Sequence, residues 1–246
     1  MSKIYSIDIE TTGLDGIEHG DEVLEIAVVE YEFETNRMSV IMNMPVYADL
    51  SGREDVWVLE HSTLQASDVA LGVSPEAAGA ILRSFLCGKY YTSYNTAFDF
   101  GKFLDHEPYN VKSCGGYMLD DPMEVAAKFL GAGQRIKLMS AYARLWPEDP
   151  MEMEGQQKHR ALDDAKMACL VMIALCREGV YHVPDCPDTA AGLMDSLRKD
   201  PGKKYSDDSM RTALLALGCS EKDATVQGLV GEEKGTGCKE AGLDGQ

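Results

Sequence analysis

Asp8-Ile9-Glu10 places two carboxylates two residues apart in an alternating segment, residues 3–10. On a strand that spacing puts both on one face, about 7 Å apart along the backbone. Carboxylates so placed can cradle hard divalent cations, which take oxygen ligands. The Thr11-Thr12-Gly13 that follows ends the strand in a loop whose amides are expected to point at the same pocket. A further acid, Asp99, closes the run Asn95-Thr96-Ala97-Phe98-Asp99 and falls in the first turn of an expected helix, where the macrodipole favours an acid. The last motif is His159-Arg160-Ala161-Leu162-Asp163-Asp164. On a helix, Asp164 shares a face with Ala161, Ala168 and Val171, whereas Asp163 lies with Arg160, Lys166 and Met167 and reads as solvated. An acid on a packed face is costly unless it is paired or binds metal, so Asp164 is the sharper candidate. Five residues of regular helix would turn His159 about 140° away from Asp164. His159 is therefore expected in the loop before the helix, where an imidazole titrating near neutrality suits a general base. Taken singly, the three motifs also read as a strand end, a first-turn aspartate and a surface histidine.

The elements that must position these residues follow from pattern. Residues 23–33 and 38–47 are β-rich runs joined by Glu34-Thr35-Asn36-Arg37, a hairpin turn. Ser74-Pro75-Glu76 is a helix start leading into residues 77–86. A short aromatic strand at 89–94 precedes helices at 97–104, 123–130, 138–145 and 161–177, the last being the clearest. Tyr90, Tyr91 and Tyr94 are expected in the core rather than as a stacking platform, and Asp120-Asp121 as a loop or helix start. Three early strands followed by strand–helix alternation indicate an α/β fold with a mixed sheet.

With 246 residues and 45% apolar side chains, the chain can build one large core. The longest nearly unbroken apolar run, residues 168–176, is too short for a membrane helix, which needs roughly 20. Asp8 and Glu10 interrupt any signal-peptide core. Seven scattered cysteines, an odd number without a C-x-x-C pair, argue against a disulfide framework or a zinc site and point to reduced thiols, hence a soluble cytoplasmic protein. Net charge is 23 − 41 = −18, which argues against broad duplex binding but not against a carboxylate site loaded with cations. Composition shifts near Gly179. Residues 1–182 are expected to form the main domain and residues 183–246 a C-terminal appendage, helical in patches at 190–197 and 210–217 and disordered in its glycine-rich end.

Together the three motifs resemble the DEDDh 3′–5′ exonuclease family, the DnaQ-like branch of the RNase H-like fold, over roughly residues 3–177. Arg160 stands where the tyrosine-type sister branch carries its tyrosine, and Tyr94 where many DEDDh relatives carry histidine before the Asn95 position. The resemblance implies an RNase H-like mixed sheet flanked by helices. It implies two Mg²⁺ or Mn²⁺ ions held by Asp8, Glu10, Asp99 and Asp164, with Asp8 bridging and His159 as base. It also implies that Thr11, Thr12, Gly13 and Leu14 cradle a terminal nucleotide, with Asn95 and Phe98 beside it. The implied reaction is release of nucleoside 5′-monophosphates from single-stranded or frayed DNA or RNA 3′ ends, as in proofreading or repair. The strongly acidic chain suits short substrates or delivery by a partner, and residues 185–217 offer a docking segment for a polymerase or another protein. A binding module with a vestigial site is the competing reading.

Overall fold

The protein is described by a computed structural model that covers residues 3–53, 56–150 and 159–184. Five strands form a single sheet in the order β3-β2-β1-β4-β5. Strand β1 (Lys3–Thr11) pairs antiparallel with β2 (Val23–Glu32), which pairs antiparallel with β3 (Arg37–Pro45). On its other edge β1 runs parallel to β4 (Tyr90–Ser93), and β4 to β5 (Tyr117–Met118). The β2–β3 hairpin turns at Asn36, whose φ of 51° suits a residue that tolerates the left-handed region.

Seven helices surround the sheet among the described residues: α1 (Trp57–His61), α2 (Ala66–Ala70), α3 (Pro75–Leu86), α4 (Thr96–Phe98), α5 (Pro122–Phe129), α6 (Leu138–Leu145) and α7 (Ala161–Arg177). Ser74 caps α3 by accepting from the Ala77 amide, with Pro75 at the first helical position. Strand alternation divides β1 between two cores. Tyr5, Ile7 and Ile9 pack with Ala78, Leu82 and Leu86 of α3, while Ile4 packs with α5, α6 and α7 on the opposite face.

The mixed sheet flanked by helices is the architecture expected from the sequence. Three local differences have physical causes. The helix expected over 97–104 begins at Thr96, and after Phe98 it widens: the Asp105 amide reaches back five residues to the Phe100 carbonyl at 3.0 Å. Helices α1 and α2 and strand β5 are too short to give a periodic signal. Helix α7 buries Met167 as well as the Ala161–Ala168 side, because α6 and the sheet cover different flanks of it.

Packing continues through Tyr181 and Val183, both buried. The appendage expected from 183 onward, with its amphipathic patches at 190–197 and 210–217, lies outside the described residues beyond Pro184. No described helix is long and apolar enough to cross a membrane, and no disulfide joins the cysteines among the described residues.

Candidate active site

The alternation that sends Ile7 and Ile9 into one core sends Asp8 and Glu10 to the face covered by α7. Ala161, Ala165 and Ala168 line α7 with small buried side chains, so its backbone can approach the sheet closely. The short Asp164 side chain thereby reaches the end of β1. Carboxylate oxygens of Asp8, Glu10 and Asp164 lie within 4.8 Å of one another. Two oxygens bound to one Mg²⁺, Mn²⁺ or Ca²⁺ at metal–oxygen distances of about 2.0–2.5 Å are at most about 4–5 Å apart. The donor set is thus of the right chemistry and the right spread for a hard divalent ion.

Asp99 comes to the same place from β4. It is 2% exposed and opens the widened turn after α4. It stands outside the three-carboxylate group but is the strongest charge acting on Asp8. Burial, then the charges of Asp99, Asp164 and Glu10, holds the Asp8 carboxyl well above the usual carboxylate range. Burial and the charge of Asp164 push Glu10 up to about 8, with Arg160 opposing. Burial likewise pushes Asp99 up to about 7, offset in part by hydrogen bonding that includes the Ile9 backbone. Four acids that repel one another in a protected place form a site that a cation would stabilise.

The loop after β1 commits one of the three expected amides, that of Thr12, to itself. Its amides mostly serve the loop itself: Thr12 N–H donates to the Glu22 carbonyl at 2.9 Å, and Asp15 and Gly16 N–H donate to Asp21 Oδ2 at 2.7 and 3.0 Å. Thr11 Oγ1 donates to the Gly13 carbonyl, and Thr12 Oγ1 accepts from the Glu22 amide. These bonds leave out the Gly13 and Leu14 amides. A Cβ at Gly13 would lie 2.3 Å from Asp21 Oδ1, so glycine lets Asp21 tie the loop together. Leu14 is 72% exposed at the loop's tip, and Lys102 Nζ donates to its carbonyl at 2.6 Å.

Asn95 has φ 74° and joins β4 to α4. Asp121, the cap of α5, accepts from the amides of Asn95 (3.0 Å), Thr96 (2.9 Å) and Met123 (2.8 Å). It thereby fixes the turn that carries Asp99. Phe98 is half-buried against Phe103, with ring centroids 5.3 Å apart. Tyr91 and Tyr94 are core residues, Tyr94 donating to the Ile136 carbonyl.

His159 precedes α7 with φ 45°, and its ring meets Trp57 edge-on at 4.8 Å. Trp57, half exposed, is stacked on its other side by His61. Asp163 pairs with Lys166 at 3.7 Å, away from the carboxylate group. Glu25 went unread in the sequence. It is fully buried on β2 opposite Glu10, and its oxygens accept from Arg160 Nε at 2.9 and 3.0 Å, from Arg160 Nη2, and from the Ala161 amide at 3.1 Å. A lone acid inside the apolar run Val23-Leu24-Glu25-Ile26-Ala27-Val28-Val29 was the available signal, because such an acid needs a partner.

A family model described as Exonuclease, of the RNase T type, matches residues 6–172. No curated protein sequence matches the chain. Among solved structures, a full-length 3′-exonuclease superposes with TM-score 0.55 at 16% identity, over 74% of this chain and 63% of that one. A 3′-exonuclease solved in 3′-end-specific recognition of a histone mRNA stem-loop gives the same score and identity, over 74% of this chain and 85% of that one. The first of these extends well beyond the length this chain spans. The family match runs from the strand bearing Asp8 to the helix bearing Asp164, so the chain belongs to the RNase T-type exonuclease family, the DEDDh 3′–5′ exonucleases that its motifs resemble.

Proposed function

We propose that the protein is a metal-dependent 3′–5′ exonuclease acting on single-stranded or frayed nucleic-acid ends. The observation that carries this is the convergence of Asp8, Glu10 and Asp164 within 4.8 Å, beside buried Asp99, in a chain of this family. Asp8, Glu10 and Asp164 would hold one divalent ion, and Asp8 with Asp99 a second. Bound there, such ions activate a water, polarise the phosphoryl group and neutralise a departing oxygen.

The chain's own side chains do the rest. His159 accepts the proton of the attacking water. The water oxygen forms a bond to phosphorus as the bond from phosphorus to the 3′-oxygen of the penultimate nucleotide breaks, releasing a nucleoside 5′-monophosphate and leaving a new 3′-hydroxyl. Thr11, Thr12, Gly13 and Leu14 cradle the terminal nucleotide; the amides left for it are those of Gly13 and Leu14, and the exposed Leu14 side chain meets its base. Asn95 and Phe98 flank it. The −18 charge offers little grip on long duplexes, which favours short or frayed substrates.

The test is a gel assay on 5′-labelled single-stranded DNA and RNA of matched sequence, with Mg²⁺, Mn²⁺ or EDTA, for wild type and Asp164→Ala. A ladder that shortens from the 3′ end and is lost with EDTA and in the variant is expected, and its two arms give the sugar preference. Metal binding without cleavage of either strand would replace this reading with a vestigial site.

A further inference from the structure

We infer that Glu25 and Arg160 are positioning residues that fix His159 and Asp164 to the sheet. The inference rests on the proposed exonuclease reading and extends it to two residues outside the acidic quartet. Glu25 projects from near the start of β2, fully buried, and spends both oxygens on the start of α7. It receives Arg160 side-on through Nε and Nη2 and also accepts the Ala161 amide. One carboxylate therefore holds both the residue before the helix and the helix's first amide, an orphan donor at any helix start.

Arg160 does not end there. Its Nη1 donates to Thr63 Oγ1 at 3.2 Å, which ties α7 to the segment after α1. Helix α1 carries Trp57, and Trp57 meets the His159 ring. The contacts close on themselves: from β2 through Glu25 to Arg160, through Thr63 to α1, from Trp57 to His159, and along one peptide back to Arg160. His159 sits inside this circuit in a left-handed backbone conformation, φ 45°, that histidine rarely holds unaided. Asp164 lies one turn further along the helix that Glu25 anchors, with its amide donating to the Arg160 carbonyl at 3.1 Å. The planar guanidinium matters because only a fork can serve Glu25 and Thr63 together.

The experiment compares wild type with Arg160→Lys, Arg160→Gln, Glu25→Gln and the double variant Glu25→Gln/Arg160→Met. The double variant removes both members of the buried pair at once, so no unpartnered charge remains to unfold the chain. Lys3→Gln, which breaks an ion pair elsewhere on the same strands, controls for general destabilisation. Each protein is melted without metal, assayed for kcat and KM on a short oligonucleotide, and examined for the His159 ring resonance by NMR in the metal-free state.

The expected result is a kcat lower by roughly 100-fold in Arg160→Gln and in the folded double variant, with KM within about threefold, and partial recovery in Arg160→Lys. The two single losses should not multiply in the double variant, since they cut the same link. The His159 resonance should move in each variant except Lys3→Gln. A double variant that melts as a folded protein yet keeps wild-type kcat and an unmoved His159 resonance overturns the inference. An inactive wild type whose His159 resonance still moves in the variants would count against the exonuclease reading and leave the clasp standing.

Discussion

The strand pair β1–β2 carries acids at both ends and treats them oppositely. At one end Lys3 meets Glu30 at 2.9 Å and Glu32 at 3.4 Å, and Tyr5 donates to Glu30 at 2.7 Å, so both carboxylates are partnered, sharing one cation. At the other end Asp8, Glu10, Asp99 and Asp164 act on one another, and Arg160, which favours the charge on Glu10, is committed to Glu25. The first arrangement is what stability alone selects. The second gathers four acids in a protected place, where a divalent ion would supply opposing charge.

The comparison breaks most visibly at Asp8. Asp8→Asn should lower cleavage at least ~1,000-fold, since on the proposed reading it removes a carboxylate that would serve both ion positions. It should also raise the melting temperature of the metal-free protein, corresponding to about 0.5–2 kcal/mol, because folding no longer has to protonate a carboxylate that is ionised in the unfolded chain. Scanning calorimetry in EDTA beside the gel assay checks both halves. A variant that loses activity and stability together would mean the cluster is not strained.

Proton linkage sharpens the same contrast. In the metal-free fold Glu10 titrates at about 8 and Asp99 at about 7, whereas unfolded carboxylates titrate near 4. Between those values the folded state holds more protons than the unfolded one. Metal-free stability must therefore fall as pH rises from about 5, by about 1.4 kcal/mol per unit for each group, through Asp99 up to about pH 7 and through Glu10 up to about pH 8. Saturating Mg²⁺ should flatten that slope, because the ion binds the deprotonated form. Melting curves at several pH values, with EDTA and with Mg²⁺, decide it.

Smaller effects are expected at the supports. Asp121→Ala removes the α5 cap and the anchor of the Asn95 turn; it should cost about 1–2 kcal/mol in denaturant unfolding and lower kcat about tenfold through a displaced Asp99. Lys3→Gln is the other extreme: a slightly lower melting temperature and an unchanged kcat in the same assay.

Much of this was legible in the sequence, for identifiable reasons. Asp8 and Glu10 sit in a strand whose period of two shows their shared face, and Asp164 sits in a helix whose small-residue stripe betrays the packed side. Alternation of strands and helices gave the mixed sheet. What escaped depends on contacts between distant segments. Glu25 meets Arg160 across 135 positions, and Trp57 meets His159 across a similar interval, with no local period to signal either. Asp121 read only as part of a loop or helix start because its bonds to Asn95 and Thr96 also run between segments. In the loop after β1 a residue close in sequence, Glu22, takes the Thr12 amide, one of the three amides expected to face the pocket.

The central claim is that the acidic cluster is a divalent metal site. Titrating Mn²⁺ into the metal-free protein by calorimetry at pH 7, in two buffers of different ionisation heat, tests it most directly. The account predicts saturable binding with release of protons from the cluster, abolished in Asp8→Asn. Absence of binding, or binding with no proton release that Asp8→Asn leaves unchanged, would contradict it.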